Sequence, residues 1–163
     1  MPYLLDADVF IRAKNDHYSF DLVPAFWEWL DGANGNGLVY SVQRVREELL
    51  AGDDELADWA RARQGFFVPA DDDTVVALTT VTSWVDAQPR YEQAAKATFF
   101  ERADLYLVAH ALSHGDTVVT HEQPEPLARA RIKIPDACQG VGASFLNPFE
   151  MLRREHVRFV LAT

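Results

Sequence analysis

Residues 3–11, Tyr-Leu-Leu-Asp-Ala-Asp-Val-Phe-Ile, decide the fold. Tyr3, Leu4 and Leu5 form a short apolar run that Asp6-Ala7-Asp8 brings to a stop. Val9, Phe10 and Ile11 then resume apolar and read as the start of a helix. A buried strand that ends in acids and passes into a helix is the pattern of an α/β sheet. In such sheets the sites lie beyond the carboxyl ends of the strands.

The alternation continues outward from this stretch. Asp21 is placed to cap a second helix, with Pro24 in its first turn and Phe26, Trp27, Trp29 and Leu30 along it. The glycines of 32–37 stop that helix. Residues 38–40 read as a strand, Ser41 as the N-cap of a helix over 42–50, and Gly52 as its end. Asp53 opens another helix to residue 63, and 66–68 form a third strand closed by Pro69. Helical patterns cover 71–86, 91–100 and 103–113, with Gly115 as a C-terminal signal. Residues 117–120 read as a fourth strand and 131–134 as a candidate fifth; a helix over 148–154 and a strand over 157–161 complete the chain. The expected class is therefore α/β with a mainly parallel sheet, in one domain over 1–163.

Composition narrows the function classes. Hydrophobic residues make up 48 % and charged residues 25 %, which describes an ordinary globular chain with a core of its own. The formal net charge of -10 argues against a general nucleic-acid binder, because phosphate repels a negative body. A local basic patch, or carboxylates neutralised by a divalent metal, remains compatible with it. The single cysteine, Cys138, excludes an internal disulfide framework and fits a reduced cytosol. The opening lacks the basic region of a signal peptide, and no apolar run approaches the roughly 20 residues that span a bilayer. A cytoplasmic protein without membrane association is expected. The histidines at 17, 110, 114, 121 and 156 show no strong zinc spacing.

Four acids sit where strands end or helices begin: Asp6, Glu48, Asp104 and Glu122. Each alone reads equally as a helix cap or a solvated turn, but strand ends converge on one edge in this architecture. Helical geometry chooses between neighbours. At roughly 100° per residue, Val42, Val45 and Leu49 make the core stripe; Glu48 flanks it, and Glu47 points away. Asp104 likewise flanks the stripe Leu105, Val108, Ala109 and Leu112, in a first turn where the helix dipole favours a negative charge. Carboxylates gathered closely repel and take up protons unless a cation joins them. An all-oxygen donor set suits Mg²⁺ or Mn²⁺, and with it phosphodiester hydrolysis rather than zinc chemistry.

The segments YLLDADVFIRAKN (3–15), SVQRVREEL (41–49) and ADLYLVAHALSHGDTVVTHE (103–122) resemble the PIN-domain ribonucleases, the nuclease fold of VapC-type toxins. FWEWL, KIPDACQGVG and NPFEML resemble one subfamily of short bacterial PIN proteins. The resemblance implies a three-layer α/β/α fold and a metal-dependent endoribonuclease, the toxin of a type II toxin–antitoxin pair. It implies that Asp6, Glu48, Asp104 and Glu122 bind Mg²⁺ or Mn²⁺, and that the Thr120 hydroxyl positions an acid or a water. The implied partners are an RNA substrate, a cognate antitoxin and a second copy of the chain. Two positions depart from the family. Asp8 stands where Asn or Ser is usual and is a possible extra ligand; Glu122 stands where Asp is usual, with Asp116 as the fallback.

Other features have plainer readings beside the functional one. Arg12 and Lys14 are candidates for holding RNA phosphates, and Arg129, Arg131 and Lys133 form the densest basic run, phosphate contact or solvated face. Phe26, Trp27 and Trp29 could stack bases, but suit a core or a dimer surface better. Two rivals stand beside the nuclease. One is a catalytically silent PIN-like binding module. The other is a phosphatase of the haloacid dehalogenase type, which Asp6-Ala7-Asp8 resembles; Phe10 breaks its motif, and the acidic pair Asp71-Asp72 comes too early.

Overall fold

The computed structural model describes residues 1–162. Five strands form one sheet: β1 Tyr3–Leu5, β2 Val39–Val42, β3 Phe67–Val68, β4 Thr117–Val119 and β5 Ser144–Leu146. Their order is β3-β2-β1-β4-β5, and every pairing is parallel. The helices are α1 Ala7–Arg12, α2 Pro24–Gly35, α3 Gln43–Leu50, α4 Glu55–Arg61, α5 Asp72–Asp86, α6 Gln93–Glu101, α7 Ala103–His114, α8 Ile134–Val141 and α9 Pro148–Arg154. A π-helical turn, Ala13–His17, extends α1.

The strand order reverses at β1. The chain runs outward through β2 and β3, then returns to lay β4 on the other side of β1 and β5 beyond it. The crevice beyond the carboxyl ends of β1 and β4 is therefore the switch point of the sheet. Tyr3, Leu4 and Leu5 are all buried, as expected of a parallel strand covered on both faces. Helix α7 is buried nearly all round, from Leu105 to Ala111, with α5 packed against it. A second part of the core is aromatic: Phe10, Trp59, Phe66 and Phe67 meet edge to face or tilted, and Trp27 joins Trp59 at 5.2 Å between ring centres. Phe26 and Trp27 are thus core residues, not a platform for bases.

Several local expectations are corrected. Val23, not Asp21, takes the N-cap position of α2; Pro24 is its first residue, and the helix runs through Gly32 to Gly35. Ser41 is not a cap but a buried residue of β2, whose hydroxyl donates to the Leu5 carbonyl at 2.6 Å. Asp54 rather than Asp53 caps α4, accepting from the Ala57 amide at 2.9 Å, while Asp53 adopts a positive φ of 47°. Residues 131–134 are no strand. Ile132 is a buried anchor of a loop, and Ile134, also buried, is the first residue of α8 with Pro135 second. The fifth strand is Ser144–Leu146, reached through Gly142 at φ +85°. The segment 157–161 forms no ladder; Phe159 packs on Tyr18 and Phe26 instead.

Helix α8 approaches α5 at a glycine. A Cβ on Gly140 would lie 2.0 Å from the Trp84 ring, too close without displacing it. Gly140→Ala is expected to destabilise the protein by about 1–3 kcal/mol, the usual cost of overpacking. A lowered urea midpoint at unchanged slope would show it.

Candidate functional site

Asp6 ends β1 and occupies the N-cap position of α1, yet its carboxylate makes no cap hydrogen bond. This is unlike Asp54, Asp71 and Asn147, whose side chains do accept from helix amides. Asp6 is 5 % exposed, and the Thr120 hydroxyl donates to its Oδ2 at 3.0 Å. The Asp6 amide bonds to the Val119 carbonyl, and the Thr120 amide to that of Leu146, so the ends of β1, β4 and β5 fix this pair. Thr120 Oγ1 also accepts from the Glu122 amide at 3.1 Å, which turns the chain toward the crevice.

The crevice opens into a cavity of about 400 Å³. Asp6, Asp8, Glu48, Asp104 and Glu122 all line it, so five of the six predicted metal-binding or catalytic residues surround one space and Thr120 supports them from beneath. The acids differ in what they already hold. Glu48 accepts from the Ala103 amide at 3.1 Å and so closes the N-terminus of α7. Glu122 does the same for α8, accepting from the Ile134 amide at 3.0 Å, and pairs with Arg131 at 3.0 Å. Neither Asp6 nor Asp104 caps a helix by its side chain. They form the inner pair, held by no helix amide.

Electrostatics follows from that difference. Burial pushes the Asp6 carboxyl well above its usual range, and the charges of Asp104, Glu122 and Asp8 push it further; only the Thr120 hydrogen bond opposes them. Asp104 rises from 3.8 to about 6, first through burial and then through Glu122, with Arg102 pulling the other way.

Cations rim the cavity. Arg12 lines it as expected. Lys14 does not: the π-helical turn carries it away, and its ammonium pairs with Asp54 at 2.7 Å. Arg131 and Lys133, from the basic run, do line the cavity, and so does Arg102, which sequence reasoning missed. Arg102 stands between α6 and α7, directly before the helix of Asp104, and that adjacency was the available signal. His121 also faces the cavity, packed against His17 and Phe149. The fallback Asp116 lies at the other end of β4, where Tyr40 donates to it. Asp71 lines the same far surface as Asp116 and Pro2, so the acidic pair of a dehalogenase-type site cannot reach Asp6.

Sequence comparison assigns residues 3–159 to the family described as "Domain of unknown function (DUF4411)". The chain belongs to this family. No curated protein matches the DUF4411 chain in sequence. Among solved structures it is similar to the crystal structure of FitAcB from Neisseria gonorrhoeae, at 19 % identity and a TM-score of 0.53, over 90 % of this chain and 98 % of that one. It is similar also to a structure of FitAB bound to an IR36 DNA fragment, at 17 % identity and a TM-score of 0.53, over 90 % and 95 % of the two chains. At these identities the likeness concerns the fold: a PIN-like α/β architecture with a five-stranded parallel sheet.

The donor set suits a hard divalent cation, being all carboxylate around a desolvated Asp6. Among the described residues, however, no three acids, histidines or cysteines are drawn together tightly enough to hold an ion as they stand. The helix amides and Arg131 that engage Glu48 and Glu122 give the reason. Asp6 and Asp104, which cap no helix by their side chains, would be free to take the ion directly.

Both inner carboxyls bind their proton more tightly in the folded state than in the unfolded one. Between the ordinary 3.8 and about 6 the native state thus carries the extra proton, so stability falls as pH rises through that window and stays low above it. In the metal-free protein this contribution runs against that of His110 and His121, whose burial lowers their pKa and adds stability as pH rises over the same range. Asp104→Asn should remove the Asp104 contribution and stabilise the metal-free protein by about 1–3 kcal/mol at pH 7.5. A gap in melting temperature between Asp104→Asn and the wild type that fails to widen from pH 5 to pH 7.5 would contradict the buried-charge description.

Proposed function

We propose that this chain is a Mg²⁺- or Mn²⁺-dependent endoribonuclease, the toxin of a toxin–antitoxin pair. One observation carries the proposal: a buried Asp6 that caps nothing and faces Asp104 and Glu122 across one cavity. Carboxylates gathered at a cost in repulsion favour a cation among them. The ion, when bound, supplies Lewis acidity toward a phosphodiester. Asp6 and Asp104 would hold it, and Thr120 keeps Asp6 in orientation through its hydroxyl. Arg12, Arg102, Arg131 and Lys133 offer the positive rim that the acidic body otherwise lacks, and so a place for RNA phosphates.

The toxin role is supported by the resemblance of the Asp6, Glu48 and Asp104 segments to VapC-type toxins, and by the fold shared with FitAcB and FitAB. It brings with it a cognate antitoxin, a homodimer and a cytoplasmic setting. No helix of the described residues is long and apolar enough to cross a membrane. A second reading, a silent binding module, is favoured by one fact: Glu48 and Glu122 already satisfy helix amides.

The two readings separate on cleavage. Asp6→Asn and Asp104→Asn should each lower Mn²⁺-dependent RNA cleavage about 100-fold or more and relieve growth arrest on expression; Thr120→Ala should cost about 10–100-fold. Chelation with EDTA should abolish cleavage, and Mn²⁺ should restore it. Wild-type-like cleavage in both Asn variants would refute the site, and a wild-type protein inert toward RNA would favour the binding module.

A further inference from the structure

A second, smaller cavity opens beside the carboxylate site. It measures about 170 Å³ and lies between α6 and the loop 130–132. Its lining includes Ala95, Phe99 and Ile132, all buried and apolar, with Thr98 and Ala130 at its walls. Arg102, Asp104 and Arg131 line both cavities, so the two meet at the inner acid of the site. The loop is held to α6: the Glu92 amide donates to the Arg129 carbonyl at 2.9 Å. Buried Ile132 and the Arg131–Glu122 pair anchor its other side.

Size and chemistry narrow the occupant. Sites for drug-sized ligands run to ~300–1,000 Å³, so this cavity takes a fragment. A charged fragment finds no partner among the buried side chains of its lining, Ala95, Phe99 and Ile132. Its mouth carries two guanidinium groups, which pair with phosphate and lie flat on aromatic rings. A flat, apolar-faced ring attached to a phosphate meets both demands, and in a nucleic acid that is a base with its own phosphate.

We propose that this cavity is a nucleobase subsite: the nucleotide flanking the scissile phosphate inserts its base between α6 and loop 130–132, and Arg102 and Arg131 hold its phosphate beside Asp104. The inference rests on the ribonuclease reading and deepens it, since it makes cleavage depend on the identity of one base. Thr98, a polar side chain of the lining one helical turn before Arg102, is placed to distinguish bases by a hydrogen bond. Arg131 exchanges its partner Glu122 for phosphate when the subsite fills.

The test fills the cavity from either wall without touching the acids. Ala130→Trp and Thr98→Trp change exposed positions and so leave the core intact. Wild-type protein and both variants are titrated with the 5′- and 3′-monophosphates of the four ribonucleosides, followed by NMR shifts, and Mn²⁺ affinity is measured by calorimetry. The wild type should bind at least one nucleotide below about 1 mM, and both variants should weaken it about tenfold or more. Mn²⁺ affinity should stay within about twofold in the variants, since Ala130 and Thr98 lie outside the carboxylate cavity. No binding by the wild type, or binding that neither tryptophan weakens, overturns the subsite. The titration requires no cleavage, so failure of the wild type to cut RNA counts against the nuclease reading alone.

Discussion

Everything at the functional end of this molecule depends on one carboxylate held where water cannot reach it well. Asp6 sits at the end of the central strand, beside the strand that pairs with it on the opposite side of the sheet from β2. A charge there is costly unless something compensates it. Thr120 supplies one hydrogen bond, and the nearest charged neighbours, Asp104, Glu122 and Asp8, make matters worse. The fold keeps this arrangement although Asn at position 6 would relieve it. The proposed cation site would account for that cost, which a residue serving the fold alone does not repay.

The surrounding elements divide the work. Glu48 and Glu122 close the N-termini of α7 and α8, which brings those helices and the two outer acids to the same crevice. The arrangement is a compromise: the amides that position these acids also occupy an oxygen of each. At the opposite end of the sheet the polar groups behave differently. Tyr40 donates to Asp116, Asp71 caps α5 and pairs with His114 at 2.7 Å, and Thr74 and His110 complete a satisfied network. Polar groups at that end find partners, whereas the carboxylates of the crevice are left repelling one another. The net charge of -10 is consistent with both, because the few cations at the cavity are local.

Much of this was legible in the sequence, for physical reasons. The apolar run ending at Asp6 announced a strand end, and the 100° helical step separated Glu48, which lines the site, from Glu47, which faces a different cavity with Tyr106. What stayed hidden depended on contacts distant in sequence. Lys14 was expected beside Arg12, but the i to i+5 bond from the Tyr18 amide to the Ala13 carbonyl shifts the face it occupies. Ser41 has the look of a cap, and only the Leu5 carbonyl, supplied by another strand, explains it. The alternation of Ile132 and Ile134 imitates a strand because a loop residue and the first residue of α8 are buried in the same pattern. Arg102 carries no motif at all; only the fold brings it to the cavity that Asp104 and Arg131 also line.

The central claim is that Asp6 and Asp104 share a divalent cation. The direct measurement is an anomalous difference map from crystals of the protein grown or soaked in Mn²⁺. The expected result is a peak within about 2.0–2.3 Å of an oxygen from both carboxylates, with Glu48 or Glu122 reaching it directly or through water. An empty crevice at saturating Mn²⁺, with Asp6 still bonded only to Thr120, would contradict it.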